Sequence, residues 1–230
     1  MRPRIGWLRR VPGVAALVRR WRGAAPFPGS AAYWQQRYAA GGDSGAGSYG
    51  KFASFKARVI NALFDELGIE SAIEFGCGDG NQLQLLTVRR YVGVDVSAEA
   101  ITLCRRKFAS VSGRRFLLAD EAEREGDALR CEAALSLDVI YHLVEDAAFE
   151  SYMRRLFGAA TRCVVVYSSN RDADAGDGKH VRHRRFTDWV DAHEPQWKLL
   201  RHVPNEHPYQ GDWRTGSFAD FYIYVPRGGK

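Results

Sequence analysis

No stretch of this 230-residue chain approaches the roughly eighteen uninterrupted apolar positions that a membrane-spanning helix needs. Cysteine is sparse too. Cys77, Cys104, Cys131 and Cys163 are scattered without a C-x-x-C pair, which argues against zinc and for free thiols in a reduced compartment. No internal repeat or low-complexity tract is present. Acidic residues are missing from positions 1–30, which hold seven of the 33 lysines and arginines. The remainder therefore carries 26 basic against 27 acidic residues and is close to neutral. A domain that grips a nucleic-acid backbone normally shows a basic surface, so DNA or RNA is a poor candidate partner for this body. The length suits one domain with a sizeable core.

What the chain does contain begins at Ile73-Glu74-Phe75-Gly76-Cys77-Gly78-Asp79-Gly80-Asn81. A short apolar strand delivers an acid and then three glycines at alternating positions. Glycines there let the backbone turn sharply and let a ligand approach it. A dinucleotide-binding turn, G-x-G-x-x-G, would place its third glycine at position 81, where Asn81 stands. Three further segments follow. Tyr91-Val92-Gly93-Val94-Asp95 ends in a carboxylate able to accept hydrogen bonds from both hydroxyls of a ribose. Phe116-Leu117-Leu118-Ala119-Asp120 reads as a third strand ending in an acid. Ala133-Ala134-Leu135-Ser136-Leu137-Asp138 reads as a fourth, running into Val139-Ile140-Tyr141-His142.

In this order the segments resemble the motifs of class I S-adenosylmethionine (SAM) methyltransferases. That resemblance implies an α/β, Rossmann-like, seven-stranded sheet with helices on both faces and the last strand antiparallel. It implies SAM as cofactor, held at Glu74, Gly76, Cys77, Gly78 and Gly80 and at Asp95 with its neighbour Val96. Asp120 would receive the adenine amino group, and Leu137, Asp138 and the residues to His142 would border the methyl group. The same resemblance, from Tyr33 to about Val225, is to bacterial members found with polysaccharide biosynthesis enzymes. It leads to the expectation of a cytoplasmic O-methyltransferase for a sugar, a glycan end or a similar small polar acceptor.

Residues 1–30 read as a separate leader. Val14, Leu17, Val18 and Trp21 fall at helical spacing opposite Arg19, Arg20 and Arg22. Such a segment suits an anionic membrane surface, a glycan-assembly partner or a transit peptide, and equally a disordered arginine-rich tail. Residues 31–230 form the catalytic domain, with 31–68 as lid and pre-core helix. Tyr33 and Arg37 of Tyr33-Trp34-Gln35-Gln36-Arg37-Tyr38 are candidates to touch the cofactor, and the glycine-serine run 41–48 is a candidate lid. Phe52, Phe55, Val59, Ala62, Leu63 and Leu67 predict a helix ending at Gly68. Beyond the glycine turn helices and strands alternate. They comprise a helix capped by Ser97, one near 146–157, a strand 162–168, a helix 186–193 with Thr187 as cap, and strands 197–203 and 218–225.

His142 is the candidate general base, because it follows the fourth strand at the sheet edge where ligands bind. Asn170 and the cluster of His180, His183 and Arg184 are candidate acceptor contacts, arginine forks being suited to carboxylate or phosphate. Two histidines at i, i+3 are too few for a metal, so none is expected. The Asn/Asp-Pro-Pro signature of amino methylation and a Pro-Cys for attack on cytosine are both missing. A methyltransferase of another small metabolite or carboxylate, a SAM-binding protein without catalysis and, less well supported, a nucleotide-dependent oxidoreductase are the alternative readings.

Overall fold

The computed structural model describes residues 26–174 and 177–228, so the leader's expected helix lies outside the described residues. Seven strands form one sheet: β1 (Ser71–Phe75), β2 (Arg90–Asp95), β3 (Arg114–Leu118), β4 (Cys131–Leu137), β5 (Ala160–Ser168), β6 (Trp197–Val203) and β7 (Asp220–Pro226). Their order is β3-β2-β1-β4-β5-β7-β6. Strands β1 to β5 are parallel, and β7 runs antiparallel between β5 and β6. The chain winds outward from β1 to β3 and then returns to place β4 on the other side of β1. A crevice opens at such a reversal, beyond the carboxyl ends of β1 and β4.

Helices α1 (Ser30–Ala39), α2 (Gly50–Leu67), α3 (Ala98–Lys107), α4 (Ala119–Glu125), α5 (Asp146–Gly158) and α6 (Phe186–His193) complete the described secondary structure, apart from short 3-10 turns. One core layer packs Phe55, Ile60, Leu63 and Phe64 of α2 with Ile101 and Cys104 of α3. The other packs Phe149, Met153, Leu156 and Phe157 of α5 with Phe186 and Val190 of α6. The central strands are buried on both faces, as their continuous apolar runs require.

Several boundaries follow from local chemistry. Gly68 caps α2 in the left-handed region at φ 60°, and the Ser97 side chain accepts from the Ala100 amide at the start of α3. Other expectations are corrected. Between β1 and β2 the crossover helix shrinks to a 3-10 turn at Gln82–Leu85. Thr187 does not cap α6. Arg185 holds that position, while the Thr187 hydroxyl and amide meet the Asn170 side chain. Ala62 is solvent-exposed, and the buried face of α2 runs instead through Ile60 and Lys56. The third strand stops at Leu118, because Glu121 reaches back to the Leu118 amide (2.8 Å) and starts α4 one residue later. Asp120 is thereby carried onto a helix instead of a strand tip.

Candidate active site

A cavity of about 550 Å³ opens at the carboxyl edge of the sheet. The glycine turn forms its floor. Gly76 and Cys77 donate amides to the Val94 carbonyl, and the Gly78 amide donates to Asp95 Oδ2 at 2.9 Å. Gly76 and Gly78 have φ of 82° and 56°. A Cβ on Gly76 would lie 2.5 Å from Val139, and one on Gly78 would lie 2.2 Å from the Ser44 hydroxyl. Only glycine fits both demands. Gly80 serves differently: it faces Phe108 and Cys104, where a Cβ would be 2.8 and 2.9 Å from its neighbours, so it lets α3 pack closely on the turn.

Two acids form part of the wall. Asp95 accepts from the Gly78 and Ser97 amides; burial pushes its carboxyl up, and these donors hold it partly back. Glu74 is enclosed, receives the Tyr91 hydroxyl at 2.6 Å, and is pushed up to about 7 by burial. Opposite lies Asp138, the only non-glycine among the described residues with positive φ, at 61°. A conformation that costly persists where the surroundings hold it. Here Lys56 Nζ donates to Oδ2 at 2.7 Å and the Tyr141 hydroxyl donates to Oδ1 at 2.9 Å. Lys56 is 1% exposed, a position a lysine occupies only when paired.

The segment 41–48 is tied to this floor. Asp79 accepts from the Ser44 amide and the Tyr49 hydroxyl, and its own amide donates to the Ser44 hydroxyl. Ser44 also pairs with the Tyr38 hydroxyl at 2.8 Å, and Asn81 Nδ2 donates to the Ser48 carbonyl. Gly47 rests against Asp138, where a Cβ would lie 2.8 Å from Oδ2.

Of the sequence-selected residues, Glu74, Gly76, Cys77, Gly78, Asp95, Val96, Leu137, Asp138 and His142 line the cavity. Tyr33 and Arg37 do not. The inward face of α1 presents Trp34 and Tyr38, four residues apart, so Tyr33 turns to stack on His180 at 4.9 Å and Arg37 bonds Asp43. Asp120 is also outside, 68% exposed and 3.3 Å from Arg124. The presumed acceptor cluster is occupied with bracing. Arg184 donates to the Leu143 and Val144 carbonyls and pairs with Asp146, while the buried His183 engages Ser169 and Asp177. Asn170 is held by Thr187. Lys56, Trp34, Tyr38 and Ser44 were missed. A lysine on an amphipathic helix reads as solvated, although Lys56 falls between Phe55 and Ile60 on the apolar face.

His142 stands between these walls. Its Nδ1 lies 3.0 Å from the His180 carbonyl, and its ring stacks on His180 with Trp34 at its edge. A carbonyl only accepts, so Nδ1 carries the proton and Nε2 is left as an acceptor. Burial pushes His142 down to about 4.

Residues 73–163 match the model of a methyltransferase domain family. Over those residues the chain is similar to a methyltransferase domain, and its seven-stranded sheet has the methyltransferase fold. No curated protein sequence matches it. Among solved structures it is similar to a SAM-dependent methyltransferase from Anabaena variabilis, with a TM-score of 0.64 and 13% identity over 88% of this chain and 97% of that one. The methyltransferase domain of a bacterial Hen1 gives 0.58 and 19% over 74% and 96%. Magnesium protoporphyrin IX methyltransferase from Synechocystis, with bound S-adenosylhomocysteine (SAH), gives 0.55 and 14% over 74% and 82%. These likenesses establish the fold.

The matched domain and the fold imply SAM as the cofactor. The residues fit it: positive-φ glycines with no room for a Cβ form the cradle, and Asp95 stands one strand away at the same edge. Asp95 would hold the ribose, and Glu74, Asp138 and the lid would enclose the amino-acid end. When bound, the cofactor supplies a methyl group on a sulfonium, already activated for in-line displacement. The protein's task is to hold the acceptor close and aligned, which lowers barriers by roughly 7–11 kcal/mol in well-oriented systems. Among the described residues no helix is long and apolar enough to cross a membrane.

Proposed function

We propose that this methyltransferase acts on a hydroxyl of a small polar acceptor, with a sugar or glycan end as the acceptor class. The observation that carries the reading is His142: a neutral imidazole in the cavity wall whose Nδ1 proton is committed to the His180 carbonyl. Its Nε2 has a lone pair for an acceptor O–H, the group a hydroxyl needs and a carboxylate acceptor does not. Trp34 beside it offers a flat apolar face to a ring. The arginines at 182 and 184 brace the 141–146 segment, which favours a neutral acceptor over one with an anionic handle.

The test follows SAH release against a panel of nucleotide sugars and glycan acceptors; no release with any of them removes the acceptor class. His142→Ala should lower kcat about 100-fold or more, the usual contribution of a positioned base, while SAH affinity stays within about twofold. Because burial holds His142 down to about 4, the acid limb of kcat/KM should fall near that pH and not near 6.5. Unchanged turnover in the variant eliminates the base role.

A further inference from the structure

The cavity is also lined by α5. Ala148, Ser151, Tyr152 and Arg155 recur at helical spacing along the inward face of that helix and line the cavity together with Val94 and Ala119. Tyr152 takes no part in ligand chemistry there, because its hydroxyl is committed to the Phe75 carbonyl and Ser136. Arg155 differs. Among the described residues it makes no ion pair or side-chain hydrogen bond, and its Nε is buried without a partner. Helical side chains lean toward their own N-terminus. For α5 that is the carboxyl edge of the sheet, so Arg155 leans toward the cavity that it lines.

Asp95, the expected ribose carboxylate, lines the same cavity as Val96, Ala119 and Arg155, and α4 and α5 pack in one core layer on the same face of the sheet. Asp120, the candidate reader of the adenine amino group, is on the outer side of α4 and paired with Arg124. The cavity lining therefore includes an unpaired arginine donor and lacks the Asp120 carboxylate. We propose that Arg155 reads the purine of the cofactor by donating to the acceptors on its edge. The proposal rests on SAM being the cofactor. A purine edge carries N7 as acceptor beside either an amino donor, as in adenine, or a carbonyl acceptor at position 6. Arginine matches the second pattern bidentately and the first only in part. A carboxylate would show the reverse preference.

Calorimetric titration with SAH and with S-inosylhomocysteine, whose purine has a carbonyl in place of the amino group, tests this directly. The unaltered protein should bind the inosyl compound at least as tightly as SAH. Arg155→Met should weaken SAH about tenfold or more, since a hydrogen bond to a charged group is lost, and should weaken the inosyl compound further. Arg155→Lys, which keeps a donor and guards against a folding defect, should fall between, and Asp120→Asn should bind both as the parent does. Loss of the inosyl compound by about tenfold or more in the unaltered protein would show that an acceptor reads the amino group, and overturns the proposal. Unchanged SAH binding in Arg155→Met overturns it equally. Failure of the unaltered protein to bind SAH at all would instead remove the cofactor assignment beneath it.

Discussion

Replacing Lys56 by Met tests whether the cofactor cavity depends on one buried ion pair. Lys56 is 1% exposed and its partner side chain in Asp138 is 15% exposed, at 2.7 Å. Met fills the lysine stem's volume, so the packing between Phe55 and Ile60 survives and the charge alone is lost. Breaking a buried pair by removing one partner costs about 3–5 kcal/mol, because the other charge stays behind. Asp138 keeps the Tyr141 hydroxyl and partial access to the cavity, which places the expected loss near the lower end, at about 3 kcal/mol. For a chain of this length that lowers Tm by roughly 6–12 °C. Urea unfolding of the parent, Lys56→Met, Asp138→Asn and the double variant closes a cycle. The double variant should be more stable than Lys56→Met, because no uncompensated charge remains. A Lys56→Met protein within about 1 kcal/mol of the parent, or single losses that simply add, would refute the reasoning.

Glu74→Gln should change how stability varies with pH. The folded carboxyl is pushed up to about 7 from an ordinary 4.5, so between those values the folded state holds a proton that the unfolded state releases. Stability from this group is therefore full below about 4.5 and lost as pH rises through about 7, a swing of about 3 kcal/mol. Urea midpoints of parent and variant should converge below about 4.5, where the buried carboxyl is neutral like the amide, and separate above about 7, where only the parent buries a charge; parallel curves would count against the burial. Tyr49→Phe removes one hydroxyl from the Asp79 clasp on segment 41–48. Stopped-flow release of SAH should quicken several-fold, with unchanged release showing that the clasp does not hold the lid. Gly47→Ala should act in the same direction, because its Cβ would press on Asp138.

Much of the fold was legible because it rests on short-range rules. Positions 76–80 must turn tightly wherever they occur, Gly68 ends a helix by its own conformational freedom, and Ser97 caps one by its own hydroxyl. Strands of uninterrupted apolar residues had to be central in a parallel sheet. The order of Glu74, Asp95 and Asp138 at strand ends places all three on one edge, since parallel strands present their carboxyl ends together.

The tertiary structure alone decided which polar groups face the cavity. Lys56 looks like a solvated residue until Asp138, 82 positions away, is brought beside it. Arg184 looks like an anion site until the carbonyls of Leu143 and Val144 arrive from 41 and 40 positions away. Asp120 was misplaced by one local contact, the return of Glu121 to the Leu118 amide, which turned a strand end into a helix. Backbone geometry is largely a property of neighbouring residues, whereas the partner of a charge is chosen by distance in space.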